Sequence, residues 1–182
     1  MSEEVKTQNT IPLWLAVPIT IFVALPFGLW FGRWNLTLWC SFIVWAEYFA
    51  LGANPSALKL ILPSYAYGAL FTGAAMFTVT VLGPVMPSLV TPGDLTIALS
   101  LGVWVGFMVY SMKWSKTVAD GSLALFNGIS MLLALYLSGS FPKTGIALAE
   151  PWMATLWTIL SGFFGAFLGW FNITILFPRK VK

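Results

Sequence analysis

Apolar stretches of about 20 residues, the length that crosses a bilayer as a helix, follow one another along almost the whole chain. Short breaks rich in Gly, Pro or charge separate them. The pattern predicts spans at about 11–31, 34–53, 64–82, 95–112, 117–138 and 151–177. Pro12 suits the first turn of the first span, while Pro18 and Pro26 fall inside it and should kink it. Only Gly32-Arg33 separates the first span from the second, with Trp30, Trp34 and Trp39 near that turn, as expected of rings at headgroup depth. Pro84 to Asp94 carries three prolines and reads as an external loop. Asp94 is placed to cap the fourth span, and Glu150-Pro151 marks the start of the sixth.

The pattern falters at 54–63, NPSALKLILP. This stretch reads either as a short interfacial or re-entrant helix bearing Lys59, or as the first turns of a long, tilted third span. SGSFPKTG at 138–145 is a plain break.

Composition sharpens the class. Hydrophobic residues make up 59% of the chain and charged residues 8%, against about 25% charged in a soluble domain. The expectation is an all-α membrane protein with six transmembrane helices in a single domain, leaving no room for a soluble catalytic unit. The lipid bilayer is its first partner. The net charge of +3 comes from Lys and Arg at span ends and in the tails, so no basic patch for nucleic acid forms. With no His and a single Cys, triads built on His and Cys/His metal sites are excluded, and no phosphate-binding glycine loop follows a strand pattern. No enzyme, metal or cofactor is expected, and Cys40 reads as a small packing residue. The first run is too long for a signal peptide and lacks a clear cleavage site, so it reads as a retained span.

Six spans put both termini on one side. On that side lie Lys6, Lys59, Lys113, Lys116, Arg179, Lys180 and Lys182, against Arg33 and Lys143 on the other. The positive-inside rule then makes both termini cytoplasmic. Sliding the second half over the first by 80 residues aligns PFGLWFGRW (26–34) with GFMVYSMKW (106–114) and brings Glu47 onto Asn127. Three spans per half would make these two inverted repeats.

Glu47 is the acid lying deep inside an apolar run, at a cost of roughly 3 kcal/mol on insertion scales. It reads as a titrating or solute-binding carboxyl beside a pathway, and that cost favours this over a mere packing contact. Asn127 is its counterpart across the repeat, and an interhelical amide bond is the plain alternative. Asn54, seven residues after Glu47 on the same helical face, starts the break at Asn54-Pro55, which lines a cavity if deep and is an ordinary turn if interfacial. Trp45, mid-span and close to Glu47, could narrow a pathway. Tyr67, in the Ser64–Tyr67 stretch, could lend it a hydroxyl. Asp120, beside Lys116, reads as a solvated helix-start pair. Gly162, Gly165 and Gly169 in SGFFGAFLGWFN, with the Gly28/Gly32 and Gly102/Gly106 pairs, form small-residue ridges suited to close helix packing, within a protomer or in a homo-oligomer.

The short acidic tail, the proline-bearing first span, PFGLWFGRW and SGFFGAFLGWF together resemble the YcdZ-like bacterial inner-membrane proteins (domain of unknown function 1097). The resemblance implies a six-span protein of the bacterial inner membrane, with no stated activity. A looser likeness in size and span count is to urea/amide channels and acetate-type transporters, although their signature motifs are missing. Two functional expectations follow. One is a channel or proton-linked transporter for a small polar solute, acting through Glu47. The other is a scaffold or accessory protein in which Glu47 holds helices together.

Overall fold

The computed structural model describes residues 7–176 and 179–180. Helix α1, Leu13–Leu29, keeps Pro18 and Pro26 within one continuous helix. A tight 3-10 turn at Gly32–Trp34 and an extended link lead to α2, Leu38–Ala50. This helix therefore starts later, and is shorter, than the apolar pattern predicts. Its end is set by the backbone: Gly52 and Ala53 both have positive φ, 86° and 52°, which no helix continues.

Helix α3 runs unbroken from Pro55 to Leu82 with Pro63 inside it. Residues 55–63 are thus its first turns, and Asn54 is its N-cap, accepting from Ser56 N at 3.0 Å. At 28 residues it is about 42 Å long, longer than the roughly 30 Å hydrocarbon layer, so it must tilt or protrude.

Helix α4 is Asp94–Ser111. Asp94 is its first residue, and its carboxylate reaches back to the amides of Leu89, Val90 and Thr91, tying the proline-rich loop to the helix. A second 3-10 turn, Met112–Trp114, precedes the five-residue α5, Lys116–Asp120. Gly121 separates α5 from α6, Ser122–Ser138, so the stretch expected as one helix over 117–138 is interrupted. Helix α7 is Glu150–Ile175; the Glu150 carboxylate holds the preceding loop through Thr144 and Gly145.

The protein is all-α, with seven α-helices among the described residues. A two-residue antiparallel pairing joins Thr7-Gln8 to Arg179-Lys180. Helices α3, α4 (with the turn after it) and α7 are long and apolar enough to cross a membrane, and α1 and α6 are shorter apolar helices. This is the build of a multi-pass membrane protein.

The two most extensive packings, α3 on α6 and α2 on α7, are alike in extent; α4 lies on α3 more extensively than α1 lies on α7. Glycines allow both main crossings: a Cβ on Gly68 would strike the Leu125 carbonyl, and one on Gly165 the Ser41 carbonyl. Gly162 and Gly169 give flat seats to the rings of Tyr65 and Tyr48. By contrast, nothing lies within 4 Å of where a Cβ would stand on Gly102 or Gly106. Helices α3 and α7 form the centre. In its most apolar stretch, 44% of α7 is buried but only 22% of α4, and the outward apolar faces of α1 and α4, with Trp14, Phe22 and Val103, suit lipid.

Candidate functional site

Helix α2 brings Glu47 inward because Cys40, Val44, Glu47 and Tyr48 all fall on its buried side. Helix α6 brings Asn127 from across the bundle. The Glu47 side chain is 3% exposed, and its Oε2 accepts a hydrogen bond of 3.1 Å from Asn127 Nδ2, between residues 80 positions apart. The other carboxyl oxygen, Oε1, is buried with no hydrogen-bond partner among the described residues. A buried carboxyl with an unfilled bonding position can hold a proton or accept from a solute donor; the amide fixes its orientation.

Two tyrosines complete this region. Tyr65, from α3, is fully buried, lies beside the Cys40 thiol and is within electrostatic range of Glu47. Its hydroxyl makes no hydrogen bond of good geometry, and neither does the buried hydroxyl of Tyr48. Both belong to the apolar core cluster with Val44, Ile61, Ala124 and Ala166. Unfilled polar atoms are rare in a folded interior, and the Tyr65 hydroxyl and Glu47 Oε1 are two of them in one region.

The other sequence candidates lie elsewhere. Asn54 is an exposed helix cap, and because α2 ends at Ala50 it shares no helical face with Glu47. Trp45 is buried against Ala24 and Leu168, between Phe42 and Phe49, on the side of α2 toward α1 and α7. The Tyr67 hydroxyl meets Ser111 Oγ at 2.6 Å, where α3 joins α4. Asp120 pairs with Lys116 at 2.5 Å on the surface. Within the Ser64–Tyr67 stretch, sequence reasoning singles out Tyr67 and passes over Tyr65. It sits two places before Tyr67 in the same run, and a helix turns those two side chains to different neighbours.

A second buried polar contact joins Asn172 Nδ2 of α7 to Thr20 Oγ1 of α1 at 2.7 Å. No group of three or more His, Cys, Asp or Glu placed to hold a metal occurs among the described residues. Three cavities stand out. One lies at the start of α2, one between α3 and α4 along Thr78 and Trp104, and one between α3 and α7 along Leu62 and Phe167. Glu47 and Asn127 line none of them.

A family model described as "Protein of unknown function (DUF1097)" matches residues 14–175. The match takes in all seven helices but for the first residue of α1. No curated protein and no solved structure matches the chain. The chain belongs to the DUF1097 family.

Proposed function

We propose that this DUF1097 member is a channel or proton-linked transporter for a small polar solute, with Glu47 and Asn127 as its central binding or proton-holding pair. The observation that carries the reading is the Glu47–Asn127 hydrogen bond itself, with one carboxyl oxygen left unfilled. The two residues stand at corresponding positions of halves offset by 80 residues, and in inverted-repeat transporters solute and coupling-ion sites lie where the repeats meet.

Several features support the inverted repeat. The 3-10 turns at Gly32–Trp34 and Met112–Trp114 are also 80 residues apart. The two most extensive helix crossings, α3 on α6 and α2 on α7, are a matched pair. After each turn a threonine meets a serine of a long central helix: Thr37 N donates to Ser161 Oγ at 3.0 Å, and Ser64 Oγ donates to the Thr117 carbonyl at 3.2 Å. On this reading α1, α2, α3, α4, α5 with α6, and α7 make six crossings of the bacterial inner membrane. The Lys and Arg count sets both termini in the cytoplasm, and the open Gly102/Gly106 ridge serves a homo-oligomer.

The test uses the full chain in liposomes holding a pH-sensitive dye, under a potassium diffusion potential, with urea and acetate as solute probes. Wild-type protein should carry proton or probe flux above empty liposomes, and Glu47→Gln, which keeps an acceptor for Asn127, should fold normally but lose the flux or its pH dependence. Wild-type flux equal to that of empty liposomes for protons and both probes would sink the reading. The second reading, Glu47 as a lock between α2 and α6, is favoured by Glu47 and Asn127 lining none of the three cavities described. It expects Glu47→Gln to be silent and Glu47→Leu to lower thermal stability.

A further inference from the structure

We propose that the cavity at the start of α2 binds an oxyanion group, a carboxylate or a phosphate. It has a volume of about 420 Å³, and its polar lining comes from Arg33, Asn35, Thr37 and Ser140. The balance of donors and acceptors there is one-sided. The Asn35 carbonyl accepts from Trp157 Nε1 at 2.8 Å, and its side-chain oxygen accepts from Phe31 N at 2.8 Å. The Ser140 carbonyl is taken by the Thr37 hydroxyl at 2.9 Å. Ser140 Oγ accepts from Ser138 Oγ at 2.9 Å, which leaves its own proton free to donate. The protein thus occupies these acceptors itself. Among the polar side chains this leaves a ligand the Arg33 guanidinium, the Asn35 amide nitrogen and the Ser140 hydroxyl proton, all donors.

Charge points the same way. The ion pairs among the described residues are Lys116–Asp120 and Lys143–Glu150, so Arg33 has no acid partner there and no carboxylate lines the cavity. The guanidinium is held over the Trp34 ring, 4.9 Å from its centre, which positions it without satisfying its N–H groups. A planar guanidinium with free donors is suited to a carboxylate or phosphate. The corresponding cation in the second half, Lys113, sits over Tyr110 at 3.5 Å and lines none of the three cavities.

Two sources offer this chemistry. Trp30, Trp34 and Trp39 stand exposed close to the cavity in sequence, as side chains at headgroup depth do, so an anionic lipid and a soluble anion both qualify. The proposal does not rest on the transport reading, because it concerns binding alone.

The test is titration calorimetry of the full chain in neutral detergent with sodium phosphate and with sodium acetate at constant ionic strength. It is paired with native mass spectrometry after release from nanodiscs of phosphatidylglycerol and phosphatidylcholine. Saturable binding of one of these probes is expected, weakened at least about tenfold in Arg33→Gln and unchanged in Lys113→Gln. Arg33 is exposed and its ring contact is its main tie, so the variant should keep the wild-type helical signal and elution volume. Phosphate or acetate binding in detergent identifies a soluble anion; selective retention of phosphatidylglycerol alone identifies a headgroup. Either supports the site. It is overturned if none of the probes binds saturably, if Arg33→Gln binds as tightly as wild type, or if Lys113→Gln loses as much.

Discussion

In the first half of the chain, α2 begins four residues past its 3-10 turn and starts beside an open cavity lined by Arg33. In the second half, α5 begins two residues past the matching turn, and Ser115 caps it by accepting from Val118 N. Thr37 gives its amide to Ser161 of α7, whereas Thr117 gives its carbonyl to Ser64 of α3. From there α2 runs on to Ala50 without interruption, while Gly121 divides α5 from α6. The first half carries the acid, Glu47, and the second the amide, Asn127. The packing frame is common to both halves; the chemistry is not. Backbone contacts at glycine crossings constrain both halves equally, and the residues that can hold charge or a proton differ freely around them.

Breaking the shared frame should have the largest effect. Gly165→Val and Gly68→Val each force a side chain into a facing carbonyl, of Ser41 and Leu125 respectively, so each should cost at least about 1–3 kcal/mol. Thermal unfolding in detergent should show similar falls in midpoint for both. A large fall for one and none for the other would end the equivalence of the two crossings.

The threonine–serine contacts sharpen the comparison on a smaller scale. Ser161→Ala leaves the buried Thr37 amide without an acceptor, while Ser64→Ala removes a donor to a carbonyl that retains other options. The first should cost about 0.6–2 kcal/mol and the second less, read as a difference in unfolding midpoint between the two variants. Equal losses would mean that the contacts do the same work despite their reversed polarity. The smallest effect belongs to Gly102→Ala and Gly106→Ala, where a methyl meets open space. In the single protomer each should stay within about 0.5 kcal/mol of wild type, or gain slightly from better helix propensity. A drop of several degrees would reveal a close neighbour on that face.

Some of this was legible in the chain. The 80-residue offset pairs Glu47 with Asn127, and those two side chains do meet, because both lie on the inward faces of helices that cross. The Gly162, Gly165 and Gly169 ridge reads as a close-packing face, and it is one inside the protomer. The supposed common face of Glu47 and Asn54 was not legible in the same way. Hydropathy continues smoothly past Ala50, and the helix stops because Gly52 and Ala53 take left-handed backbone angles. Likewise 54–63 looks broken by its prolines, yet Pro55 sits at the first turn, where its missing N–H costs nothing, and Pro63 is carried within the long helix.

By itself the sequence determined the class: a chain 59% hydrophobic and 8% charged must bury its backbone polar groups in helices within a bilayer. It also determined that Glu47 would be turned inward, since the acid is costly anywhere else in hydrocarbon. Only the tertiary structure decided which groups surround that acid. Asn127 fills one oxygen, Tyr65 stands nearby with its hydroxyl unfilled, and Trp45, Asn54 and Tyr67 belong to other contacts. Helix periodicity fixes which way a residue points on its own helix. The neighbour it points at depends on crossing positions, and here those are set by where glycines let one backbone reach another.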